Sequence, residues 1–173
     1  MSRFELTSKC FSVANYIIEQ TDKYNADKAL GEHVLMHTHR LQKLLYFCDI
    51  EFMKSNNGKS FFDDQFYAFS NGPVIPVVYS LFIQCTDSKI MPKYHEAHFD
   101  LLEHEKNIID KVLEDTREMD TIDLAQLSKD QNGPWSRAYA LSSSTQLQVM
   151  SKGETADFYL NSNAKGMIKI IKL

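Results

Sequence analysis

Cys10, Val13, Ala14, Ile17 and Ile18 recur at spacings of three and four with polar residues between them. This single apolar stripe predicts an amphipathic helix over residues 8–20. The following stretch, 21–37, loses the pattern. It is polar, carries scattered charge and Gly31, and reads as a connection with room for a short helical piece. Leu41, Leu44, Leu45, Cys48 and Phe52 then form the most regular stripe in the chain, with Thr38 placed to act as N-cap and Asn56-Asn57-Gly58 as the stop. At Phe66-Tyr67-Ala68-Phe69 the period changes. This short aromatic run lies between Asp63-Asp64 and Asn71-Gly72, which predicts a strand, and apolar residues on both faces call for cover on both sides.

Beyond Asn71-Gly72-Pro73 a helix is expected over 76–82, because proline is tolerated in a first turn where its missing N–H has no partner to lose. Val78, Leu81 and Phe82 face its core side. A loop over 87–93 leads to a long helix near 99–117, with Leu101, Ile108, Ile109, Val112 and Leu113 on one side. Asp120 or Thr121 can cap a further helix carrying Leu124 and Leu127, which Asp130-Gln131-Asn132-Gly133 ends. Pro134-Trp135 opens a short helix reaching Leu141, and Ser142-Ser143-Ser144 is a polar turn. The β-branched tail 167–173 follows Gly166 and reads as a terminal strand able to pair with 66–69. Together these elements predict one mostly α-helical α+β domain, residues 1–173, wrapped around a small antiparallel β-sheet.

Composition adds limits. With 173 residues, 43% of them apolar, the chain can bury one real core, and two would be marginal. The formal charge of -4 means that a nucleic-acid surface would need local clustering of cations, and no helix joins a basic face to a recognisable turn motif. Lys165, Lys169 and Lys172 make the tail only mildly basic, so nucleic acid is disfavoured as a partner. The first residues show no apolar leader and the longest apolar run, 44–48, is too short for a bilayer, so no membrane association and a cytoplasmic location are expected. Nothing in the pattern specifies a homo-oligomer.

Candidate chemistry is sparse. Cys10, Cys48 and Cys85 are far apart and form no C-x-x-C pair, so they read as reduced thiols, the first two as small hydrophobes. His33 with His37 and His95 with His98 have spacings that put two imidazoles on one helix face, yet each pair lacks a third ligand, and surface histidines in polar connections are the better reading. Between Phe99 and Asp123 nine Asp or Glu stand against three Lys or Arg, a solvated acidic face that could also dock a basic partner. No G-x-S-x-G, Walker A loop or G-x-G-x-x-G is present. The expectation is a non-enzymatic protein without metal or cofactor. Trp135 and the Asn71-Gly72-Pro73 corner suit two roles: structural corners with the tryptophan as a core anchor, or an exposed aromatic hot spot for a protein partner.

Three stretches resemble the Panacea domain, the SocA-like antitoxin group also described as phage-associated proteins. They are Val13-Ala14-Asn15-Tyr16-Ile17-Ile18, Leu41-Gln42-Lys43-Leu44-Leu45-Tyr46-Phe47 and Ala68-Phe69-Ser70-Asn71-Gly72-Pro73-Val74-Ile75-Pro76-Val77-Val78-Tyr79. The order and spacing of the second and third make the pattern specific, and the resemblance is strongest over 10–82. Where the family often has a histidine shortly before a P-W pair, this chain reads Asp130-Gln131-Asn132-Gly133-Pro134-Trp135. The resemblance implies an antitoxin, encoded in bacteria, prophages or other mobile elements, that binds and neutralises a cognate protein toxin. One branch implies a proteolytic adaptor that hands the toxin to an ATP-dependent protease. It also marks Gln42, Lys43, Tyr46, Asn71, Gly72, Pro73, Val74, Pro76, Tyr79 and Trp135 as family-motif residues, structural or partner-binding.

Overall fold

A computed structural model of the chain describes residues 8–83, 100–143 and 145–161. Cys85, His95, His98, the 87–93 loop and the expected terminal strand over 167–173 lie outside the described residues. Among those described, the order is α1 (Lys9–Asn25), a 3-10 turn (Leu30–Glu32), α2 (Thr38–Ser55), β1 (Tyr67–Phe69), β2 (Gly72–Val74), α3 (Pro76–Phe82), α4 (Glu103–Thr116), α5 (Thr121–Leu127), α6 (Pro134–Ala140) and α7 (Lys152–Asn161). The expected class is what is found, a mostly helical α+β domain with seven helices and a two-stranded antiparallel sheet among the described residues, but most of the helices gather around α2 and not around the sheet. No helix among the described residues is long and apolar enough to cross a membrane.

Ser8 caps α1 by accepting the Cys10 N–H, and the helix runs on past residue 20 because Thr21 continues the buried stripe and returns its hydroxyl to Ile17 O. The connection after it is closed rather than loose. The Asn25 side chain bonds both the N–H and the carbonyl of Val34, each at 2.9 Å.

The second helix forms where the stripe predicts it, but Thr38 is its first residue and His37 its N-cap. The Thr38 hydroxyl is instead donated to Phe82 O at 2.6 Å, tying the start of α2 to the end of α3. Asn57 and Gly58 take φ of 53° and 80°, the left-handed geometry that terminates a helix. Burial corrects the amphipathic expectation for α2. Thr38, Arg40, Gln42, Lys43 and Asp49 are buried along with the leucines, because α1, α3, α4, α5, α7 and β2 all pack around this helix.

Its buried polar groups serve its neighbours. Arg40 donates to Thr116 O, the last carbonyl of α4, and to Met119 O just beyond it, at a helix end where a cation is favoured. Asp49 accepts from Ser60 Oγ and Phe61 N–H, both at 2.7 Å, and fixes the segment after α2. Lys152 at the start of α7 lies 3.7 Å from the same carboxylate.

The hairpin pairs Tyr67 with Val74, Ala68 with Pro73 and Phe69 with Gly72. On the other side of β1, Ala68 N–H donates to Gln148 O, Met150 N–H donates to Phe66 O, and Tyr67 bridges Val149. Residues 148–150 thus occupy the second edge of 66–69, and the tail expected to pair there lies outside the described residues. The expected long helix starts later, at Glu103, where the buried Glu105 carboxylate accepts from Leu102 N–H and pairs with Lys9 of α1. Asp120 caps α5 by accepting from Asp123 N–H. The seventh helix was not foreseen. Its buried residues are Thr155, Ala156 and Tyr159, and Tyr159 packs edge-on against Tyr46 and donates to Asp130.

Candidate functional site

Part of the family motif meets at α2, where Gln42 and Lys43 hold the turn that carries Gly72, Pro73 and Val74. Gln42 Oε1 accepts from Ile75 N–H at 2.7 Å, which gives the N-cap residue of α3 a partner for its backbone donor. Among the described residues Gln42 Nε2 has no acceptor. Lys43 Nζ donates to Pro73 O at 2.9 Å. Between these two contacts the Asn71-Gly72-Pro73-Val74 turn is held down on the helix. Gly72 has a φ of 100°, and a Cβ there would come within 2.4 Å of Ser128 Oγ and 3.1 Å of the Lys43 Cε and Nζ, so glycine permits both the turn and the close approach of α5's end. Val74 is buried opposite Tyr67, and Pro76 occupies the first turn of α3.

The other members have separate places. Tyr46 lies in the core, edge-on to Phe66, with its hydroxyl 3.4 Å from that of Tyr159. Tyr79 is half-buried and meets the edge of His39, ring centres 5.7 Å apart. Trp135 is half-buried, stacks on Tyr139 and donates Nε1–H to Phe69 O at 2.9 Å, the last carbonyl of β1 before the turn. Its indole face lies 5.7 Å from Lys129 Nζ. Asn71 is exposed.

A groove of about 260 Å³ opens beside Lys43, lined by His37, His39, Asn71, Ile122 and Lys129 among others. Two of its lining residues, Lys43 and Asn71, belong to the motif. His39, Ile122 and Lys129 do not, and sequence reasoning missed them. The available signal was a polar pair at helical spacing, His39 and Lys43, on the flank of the Leu41–Leu44–Leu45 stripe.

Lys43 is only 1% exposed, and among the described residues no carboxylate pairs with it. Burial first, and the neighbouring Lys129 second, pull its amine down to about 7. His37 and His39 are also lowered, chiefly by burial, so they stand as neutral imidazoles near pH 7. His37 bonds Thr121 Oγ1 at 3.0 Å, which places it in the packing between α2 and α5 and corrects its reading as a surface histidine in a polar connection. His33 is bonded to Lys28 O. Among the described residues no group of three or more His, Cys, Asp or Glu could hold a metal ion. Cys10 and Cys48 are buried free thiols, and burial pushes both well above the usual thiol range.

A central helix packed by its neighbours, a hairpin clamped onto it by Gln42 and Lys43, and an open groove at the clamp define a small, mostly helical α+β module. The family model for the antitoxin SocA-like, Panacea domain matches residues 41–136, and the chain belongs to that family. The match starts inside α2, runs through the hairpin, α3, α4 and α5, and ends just after Trp135. No curated protein and no solved structure matches.

Proposed function

We propose that this protein is the antitoxin of a toxin–antitoxin pair and neutralises a cognate protein toxin by binding it directly, in the cytoplasm, with no bond made or broken by its own side chains. Family membership over residues 41–136 carries the reading. The geometry supports it, because the motif residues build a clamp and leave beside it an open groove lined in part by the buried Lys43. Restraint of a partner by a preformed surface needs only that surface, and preorganisation lowers the entropic cost of association.

Co-expression with the product of the adjacent open reading frame tests the proposal. That product alone should arrest growth, growth should recover when both are made, and the two should co-purify. A harmless neighbour, or two proteins that do not associate, overturns it. The half-life of the toxin should be unchanged by the antitoxin; a half-life shortened only when a cellular ATP-dependent protease is present would replace direct neutralisation by proteolytic delivery.

A further inference from the structure

The groove beside Lys43 is small, donor-rich and short of anions. Its volume of about 260 Å³ lies below the roughly 300–1,000 Å³ usual for small-molecule and cofactor sites, and so matches one or two side chains of a partner. Lys43 lines it, and the Lys43 amine has one described acceptor, Pro73 O, against the three donors that an ammonium carries. At its side Lys129 presents a second amine, whose described contact is the face of Trp135. At its rim Ile122 is 69% exposed, a large apolar side chain that meets solvent.

We propose that this groove anchors one acidic side chain of the partner protein, an Asp or Glu whose carboxylate meets Lys43 and Lys129 while an adjoining apolar residue covers Ile122. The inference rests on the reading that the protein works by binding another protein. An arriving carboxylate supplies the counter-charge that the buried amine lacks, and a desolvated pair of this kind contributes more than one at the rim. Burial has already drawn the Lys43 amine down to about 7, so near neutral pH the anion also draws a proton onto it. A nucleic acid fits less well. Duplex DNA carries a charge about every 1.7 Å, and a polyanion in this groove would run against Asp120 and Asp123 at the start of α5, on a chain of formal charge -4.

The test uses the full chain and two peptides, acetyl-Leu-Glu-Leu-amide and acetyl-Leu-Gln-Leu-amide, titrated at millimolar concentration and followed by amide NMR. The glutamate peptide should give saturable shifts confined to the backbone around His39, Lys43, Asn71, Ile122 and Lys129. The glutamine peptide should bind at least about fivefold more weakly, and Lys129→Glu, a change at a partly exposed position, should abolish the difference. No shifts from the glutamate peptide, or equal binding of both peptides, overturns the proposal. Tighter binding of a 12-nucleotide single-stranded RNA at the same residues overturns it in favour of a nucleic-acid partner. A second arm separates this inference from the antitoxin reading. If wild type neutralises its neighbour's product and Lys129→Glu does so equally well, the groove proposal fails while the antitoxin reading stands. If the peptides bind as described and the neighbour is harmless, the antitoxin reading fails and the acidic anchor remains for another protein.

Discussion

Asp49 and Lys43 are both buried on α2, and their surroundings are opposites. Asp49 is met by Ser60 Oγ, Phe61 N–H and Lys152, donors that come from the segment after its own helix and from α7. Burial raises its carboxyl, and those donors work against the rise. Lys43 is met by one carbonyl, and the nearest named charge that acts on it is another cation, Lys129. A buried charge with its partners in place holds elements together. A buried amine without them costs stability, and such a cost persists where function needs it. The comparison sets the Asp49 side of the helix, where the partners are in place, apart from the Lys43 side, which carries the proposed recognition groove.

The largest effect should come from breaking the scaffold side. Asp49→Ala leaves Phe61 N–H without its acceptor, leaves the Ser60 hydroxyl with Phe62 O alone as acceptor, and removes the counter-charge of Lys152, so the loss should be about 3 kcal/mol, at the low end for a buried pair because Lys152 is partly exposed. Urea denaturation at pH 7 measures it. A loss under about 1 kcal/mol would mean that the two sides of α2 do not differ as described.

On the recognition side, Lys43 ties stability to pH with a definite sign. Its amine sits near 7 in the fold and near 10.4 in an unfolded chain, so between these values the unfolded state holds the extra proton and stability rises with pH. Below about pH 7 both states are protonated and the burial penalty is felt in full. From pH 7 to 8.5 the gain attributable to this amine is about 1.5 kcal/mol. By pH 8.5 unfolded cysteines are losing their protons while the raised thiols Cys10 and Cys48 keep theirs, a contribution of opposite sign that wild type and a Lys43 variant share, so the difference between the two proteins isolates the amine. Lys43→Met should fold at least as well as wild type at pH 7 and lose this gain; Lys43 is one cause of the lowering at His39, but burial, the larger cause at both His37 and His39, remains in the variant, so the two imidazoles add little to the difference above pH 7. Parallel stability curves for the two proteins would show that the amine is charged in the fold and that the comparison with Asp49 is wrong.

Legibility followed the same division. Apolar periodicity located α1, α2 and α3, and the aromatic run and Asn71-Gly72-Pro73 located β1 and the corner after it, because these are local signals, but the second strand, Gly72–Val74, is not expected from the sequence. Periodicity also missed the burial of α2's polar residues, since Arg40, Gln42, Lys43 and Asp49 look solvated until α4, the hairpin and the 60–61 segment supply their partners. The seventh helix was invisible for a related reason: Lys152-Gly153-Glu154 opens it with little apolar content, and Tyr159 finds its burial against Tyr46 and Asp130, both distant in sequence. Of the groove, the resemblance supplied Lys43 and Asn71, whereas Ile122 and Lys129 reach it only because Asp120 caps α5 where it does.

Trp135 offers the smallest and most selective test of the comparison, because it holds the roof over Lys43 and has no part in the Asp49 cluster. Its Nε1–H donates to Phe69 O, beside the turn whose Pro73 carbonyl receives the Lys43 amine. Trp135→Phe keeps an aromatic ring for stacking on Tyr139 and for contact with Lys129, and deletes that one donor. The expected loss is about 1 kcal/mol in urea denaturation, the usual net worth of one hydrogen bond. If the indole serves the scaffold alone, hydrogen exchange should speed up evenly through the molecule. If it serves the recognition side, exchange at Phe69, Gly72 and Ile75 should quicken first, while Phe61, whose amide is held by Asp49, stays as protected as in wild type.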